Sequence, residues 1–98
     1  MYGQINSETG MRGAFAKIRQ DVAVAASRAQ ITKLYRRAGY LIMLTYAPSW
    51  QGKFSREDAT ALREIGENEF GKTAKEINHR AAQIGTKANY NEKWGHNR

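Results

Sequence analysis

The sequence predicts an all-α fold, a small bundle of four to five helices, and three observations carry that expectation. Apolar residues recur at intervals of three and four rather than two, the period of a helix buried along one stripe. The only proline is Pro48, so no other position removes a backbone donor from a helix interior. The 98 residues are 41% hydrophobic and 26% charged, ordinary globular usage for one domain that buries roughly two thirds of its unfolded surface.

Residues 1–10 read as a disordered lead-in. Met11, Phe15, Ile18, Val22, Ala25 and Ala29 then form one stripe, which predicts a first helix from about Arg12 to near Ala26. The stripe changes phase to Ile31, Leu34, Tyr35, Ala38, Leu41, Ile42 and Thr45, and Ser27 with Gln30 spells a capping box at the change. That favours a second helix beginning there. One uninterrupted helix is the competing reading, because Arg19 to Ala29 contains no Gly or Pro. Together these elements make a helical hairpin over 12–47. Its far end is apolar all round from Tyr40 to Tyr46 and so needs cover from other helices or from a second subunit.

Pro48 ends the hairpin, and Ser49 to Phe54 is the clearest loop. Tyr46, Trp50 and Phe54 cluster around it, as core closure, as a stacking platform for unpaired bases, or as a patch for a partner protein. Ser55 with Asp58 is a second capping box and opens a third helix whose apolar face is Ala61, Leu62, Ile65 and Phe70. Gly66 or Gly71 marks its expected end. Ala74, Ile77, Ala81, Ala82 and Ile84 make a fourth face that stops at Gly85. Tyr90 and Trp94 sit four apart in a short last helix, and residues 95–98 are a frayed tail. The expectation is thus a three-helix unit over 55–94 after the hairpin.

The stretch Gly66–Thr73, GENEFGKT, matches the phosphate-loop pattern G-x-x-x-x-G-K-[ST]. A phosphate loop leaves a buried strand and enters a helix whose amides face the anion. This one leaves a charged helix, carries Glu67 and Glu69 where phosphate would approach, and has no parallel sheet around it. A helix end at Gly71, with Thr73 capping the next helix, accounts for the same letters.

The formal charge is +7, and its distribution matters more than its size. Residues 1–54 hold 8 basic and 2 acidic side chains, residues 55–70 hold 2 and 5, and residues 71–98 hold 6 and 2. The middle segment is unsuited to a polyanion, whereas the flanks suit one. Lys33, Arg36 and Arg37, with Arg28 earlier, offer a positive face on the second helix. That face is either solvated or a phosphate contact surface.

Thr73-Ala74-Lys75-Glu76-Ile77 resembles the T/S-x-x-E-I opening of the middle helix in homeodomain-like helix-turn-helix units. The resemblance covers about 40 residues and implies that Ser55–Glu69, Thr73–Gln83 and Thr86–Trp94 are the three helices, the last lying in the major groove. Asn78, Ala81 and the long Ala82–Gly85 turn depart from that pattern. The resulting expectation is a non-enzymatic nucleic-acid-binding protein, on duplex DNA, with Lys72, Lys75, Arg80, Lys87, Asn89, Lys93, Arg36 and Arg37 as contact residues. The alternative is a protein–protein interaction or assembly module using Tyr40, Met43, Leu44 and Trp50, as a homodimer or with another protein.

Other chemistries find little to work with. No cysteine is present, which removes disulfides, thiolate metal sites and thiol nucleophiles and suits a cytoplasmic protein. Glu76 and His79 give one E-x-x-H pair where a bundle di-metal site needs two, and His96 reads as solvated, so no metal and no cofactor is expected. The longest apolar run, Tyr40 to Ala47, is far below the roughly 20 residues that span a bilayer, and the N-terminus lacks signal-peptide features.

Overall fold

A computed structural model describes residues 8–44 and 56–93. They form three α-helices: α1 (Glu8–Ala23), α2 (Arg28–Leu44) and α3 (Arg56–Gln83). The all-α expectation holds, but the helix count falls from four or five to three among the described residues. Helix α1 already includes residues 8–10, earlier than expected.

The chain does break between α1 and α2, although neither Gly nor Pro forces it. Ser27 Oγ accepts the Gln30 amide at 3.2 Å, while Gln30 Oε1 accepts the Ala26 amide at 2.6 Å, a capping box displaced by one residue on its return arm. Arg80 Nε of α3 donates to the Ala25 carbonyl at 2.8 Å, fixing the linker from outside. Two satisfied ends and two apolar stripes of different phase outweigh the continuity of a single helix.

The long α3 is the main correction. Gly66 and Gly71 lie inside it, and each costs a helix interior about 1 kcal/mol relative to Ala. Burial on one face overrides that local preference, because Leu62, Phe70, Ala74, Ile77 and Ala81 all enter the core. A Cβ at Gly71 would stand 3.5 Å from the Glu92 carbonyl, an ordinary contact distance, so the returning chain lies against the helix without requiring glycine there. Thr73, expected to cap a new helix, is instead buried in mid-helix. Two residues past the end of α3, Gly85 has a φ of 83° that permits a Schellman closure. The Thr86 amide bonds Ala81 O at 2.9 Å and the Gly85 amide bonds Ala82 O at 3.2 Å.

The expected last helix does not form over residues 86–93, which are non-helical. They run back as a strap in the groove between α2 and α3. Tyr90 is its anchor. The Asn78 side-chain amide pairs with the Tyr90 backbone in both directions at 2.8 Å, as a strand neighbour would. The Tyr90 ring stacks on Tyr35 with centroids 4.5 Å apart, and its hydroxyl meets Thr32 Oγ1 at 2.6 Å. The Tyr35 hydroxyl donates to the Asn91 carbonyl at 2.9 Å. With no recognition helix, no helix-turn-helix unit exists among the described residues.

Pairings across the bundle fix its topology as up-down-up. Arg12, Arg19 and Ala25 of the α1 side meet Glu69, Thr73 and Arg80 in the same order, so α1 and α3 run parallel. Tyr35 contacts Phe70 while Thr32 lies beside the Tyr90–Asn78 clasp, so α2 runs against them. The core is Met11, Phe15, Ile18, Val22, Ile31, Leu41, Ile42, Phe70 and Ile77 with interleaved alanines, close to the sequence stripes. Ala29, Ala61 and Ala82 depart from those stripes and are exposed. Ser55 and the aromatic loop lie outside the described residues.

Two glycines of opposite function give a direct check by urea denaturation. Gly85→Ala should destabilise by about 1 kcal/mol, since L residues resist a positive φ. Gly71→Ala should be neutral or stabilising by up to about 1 kcal/mol, because 3.5 Å is ordinary contact and the helix gains propensity. The reverse order would contradict a continuous α3.

Candidate functional site

The polar interior sets which charges remain available. Glu69 is a carboxylate whose side chain is only 4% exposed. Arg19 Nη1 donates to its Oε1 at 3.0 Å and also to Thr73 Oγ1 at 3.1 Å. Arg12 Nη1 and Lys72 Nζ approach the other oxygen at 3.3 and 3.4 Å. Arg19 Nε reaches Glu76 at 3.7 Å, and Lys17 pairs with Asp21 at 3.1 Å. Among the described residues, no buried side-chain N or O atom lacks a hydrogen-bond partner.

The eight expected nucleic-acid contacts separate into four groups. Arg80 is half-buried and committed to the Ala25 carbonyl and to Gln83 Oε1, so it holds the bundle together. Arg36 is exposed on α2, while Lys33, also exposed, and the half-buried Arg37 line a shallow cleft with Asp21, Val24 and Ala25 at the turn between α1 and α2. Lys72, Lys75 and Lys93 come together at one cleft of roughly 710 Å³, joined by Arg12. Lys87 and Asn89 are exposed along the strap. Arg28, Lys33, Arg36, Lys75 and Lys87 make no ion pair among the described residues.

The topology sorts charge lengthwise. Because α2 opposes α3, the segment carrying Arg28, Lys33 and Arg36 lies alongside the C-terminal half of α3, which carries Lys72, Lys75 and Arg80. The acidic N-terminal half, with Glu57, Asp58, Glu64 and Glu67, lies toward the other end, beside the C-terminal turns of α2. There Tyr40 and Met43 are 55% and 56% exposed, and Leu44 is half-buried, which leaves an apolar ridge. Trp50, the fourth expected interface residue, lies outside the described residues. His79 is exposed and meets Gln83 at 3.2 Å, while Glu76 faces Arg19, so the E-x-x-H pair does not converge. No helix among the described residues is long and apolar enough to cross a membrane.

Sequence reasoning missed Glu69, Arg19, Asn78 and Tyr35 as organising residues. The signal for Glu69 was present, since Leu62, Gly66, Glu69, Thr73 and Ile77 share one helical stripe, but only a helix continuous through Gly71 makes them neighbours.

Burial, and next the adjacent Tyr90 hydroxyl, push the Tyr35 phenol above its ordinary value of 10.0. The neutral phenol is the form the fold favours. Its stabilising contribution is complete below pH 10.0 and is lost as the pH rises through the higher folded value. Urea titrations from about pH 9 to 12 should therefore show a steeper loss of stability for the parent than for Tyr35→Phe. Parallel curves would contradict this environment for Tyr35.

Comparison with known proteins finds no matching family model, no matching curated protein and no matching solved structure for this chain.

Proposed function

We propose that the protein binds nucleic acid, duplex DNA in the first instance, through the outward face of α2, and that it does so by contacting phosphates rather than by reading bases. The observation that carries this reading is the lengthwise sorting of charge: Lys33 and Arg36, with Arg28 in the first turn of α2, present cations without carboxylate partners among the described residues. Asp21, Glu69 and Glu76 are engaged by Lys17, Arg12 and Arg19, Glu92 accepts from the Asn78 amide, and Glu57, Asp58, Glu64 and Glu67 sit on the far half of α3. The positive end of the α2 dipole adds to the field at Arg28, because no acidic residue occupies its first turn.

The non-helical strap removes the major-groove recognition helix from the account. What remains is the sequence-independent part of DNA binding, in which each neutralised phosphate releases a counterion and steepens the salt dependence. Lys87 extends the same positive surface along the strap. Nothing in this mode requires catalysis, a metal or a cofactor.

A second reading has its own observation. The exposed Tyr40 and Met43 ridge suits a protein contact, with a second copy or another chain. Met43→Lys should abolish such a complex without disturbing the core, since Met43 is not buried; an unchanged assembly state would remove the ridge as an interface.

Fluorescence anisotropy of a labelled mixed-sequence duplex, titrated across salt concentrations, tests the first reading. Lys33→Gln with Arg36→Gln should weaken binding at low salt and reduce the slope of log K against log salt by about 2, roughly 0.9 per phosphate contact. An unaltered slope would exclude this face of α2.

A further inference from the structure

Resting on the phosphate contacts proposed for α2, we infer that Tyr40 adds a base-stacking position to the same face and makes it selective for single-stranded DNA over duplex. At about 100° per residue, Ala29, Lys33, Arg36, Tyr40 and Met43 fall within an arc of about 80°. All five are exposed, and the buried stripe of Ile31, Leu34 and Leu41 lies on the opposite side of the helix. The face therefore changes character along its length: cations come first, then an aromatic ring and a thioether.

Tyr40 is available where the other described tyrosines are occupied. Tyr35 and Tyr90 stack on each other at 4.5 Å and commit both hydroxyls to hydrogen bonds. Tyr40 is 55% exposed and makes no ring contact or side-chain hydrogen bond among the described residues. A lone exposed tyrosine is ordinary, but this one has company. Arg36 stands one turn before it, about 6 Å along the axis, so one strand can rest a phosphate on the guanidinium and a neighbouring base on the ring. Met43, 56% exposed, continues the apolar surface on the far side with a flexible, polarizable side chain.

The energetics separate the two forms of DNA. Phosphate contact alone favours the duplex, because counterion release is worth about 0.9 per contact there and about 0.7 on a single strand. A paired base has both faces closed by its neighbours, whereas an unpaired base can lie on an aromatic ring whatever its identity. The cations thus serve both forms, and the ring rewards only one. The acidic half of α3, with Glu57 and Glu64, lies toward the C-terminal turns of α2 and repels a backbone that continues past Tyr40. The face accordingly holds one stacked base at the end of a short phosphate track.

Fluorescence anisotropy of a labelled oligothymidylate and of a labelled duplex of equal length, each titrated with the full chain across low salt concentrations, tests this. The parent should bind the single strand several-fold more tightly. Tyr40→Leu should weaken strand binding about tenfold, within the range for one stacked base, while leaving duplex affinity and both salt slopes unchanged, so that the preference reverses. Tyr40→Phe keeps the ring and should bind like the parent, with helicity of each variant confirmed by circular dichroism. Lys33→Gln with Arg36→Gln should weaken both ligands and lower both slopes. If that pair changes neither ligand, the phosphate reading of α2 falls and the stacking position with it. If the pair weakens both ligands while Tyr40→Leu changes neither, or weakens both equally, stacking alone is overturned and phosphate contact stands. A parent that prefers the duplex would overturn the selectivity. Tyr40→Phe as weak as Tyr40→Leu would assign the effect to the hydroxyl and overturn stacking.

Discussion

Burying a carboxylate is unfavourable unless charge and hydrogen bonds replace the water it loses, and Glu69 meets that condition only when α1 and α3 are in register. Arg19 supplies the short bond and ties in Thr73; Arg12 and Lys72 complete the shell. A slip of one turn between the helices would strand Glu69 among the apolar side chains around it. Apolar stripes tolerate such slips because neighbouring aliphatic side chains are nearly interchangeable, whereas a buried ion cluster does not. The parallel pairing of α1 and α3 is therefore specified electrostatically, and the linker bond from Arg80 to Ala25 repeats the constraint at the other end.

Consequences for the surface follow from that register. With α1 and α3 parallel and α2 opposed, the basic half of α2 lies beside the basic half of α3, and the acids of α3 occupy the other end. The strap then closes the α2–α3 groove, using Tyr90 as a wedge between Tyr35 and Asn78. A chain with +7 charge thus keeps part of its cationic surface unneutralised at defined places. They lie along α2, at Arg28, Lys33 and Arg36, and at Lys75 and Lys87.

Local chemistry was readable where it acted over one or two turns. The Ser27–Gln30 box, the two hairpin stripes and the stop at Gly85 could all be placed from spacing and residue type. Elements that depend on distant partners could not. Gly71 reads as a helix end in isolation and becomes a helix interior because burial of Phe70, Ala74 and Ile77 and close passage of the strap outweigh its propensity. Splitting the helix there also hid the stripe containing Glu69 and Thr73. Arg80 looked like any surface cation until its acceptor on the α1–α2 linker was known. Residues 86–93 carry Tyr90 at a spacing from Trp94 that suits a helix, yet Asn78 offers the Tyr90 backbone a competing pair of hydrogen bonds. Lys72, Lys75 and Lys93 were picked out for their charge, and the fold supplies what the sequence did not, their convergence with Arg12.

The central claim is that Arg19 and Glu69 act as a unit that sets the α1–α3 register. A double-mutant cycle with Arg19→Met, Glu69→Gln and the combination, read by urea denaturation at neutral pH, tests it directly. Each single change should destabilise by about 1–3 kcal/mol, since Arg19→Met takes the shortest bond from the buried Glu69 and Glu69→Gln takes the charged acceptor from Arg19. The double variant should cost much less than the sum, with a coupling energy of about 1–3 kcal/mol. Additive losses, with coupling near zero, would show that the two side chains are independent and that apolar packing alone aligns the helices.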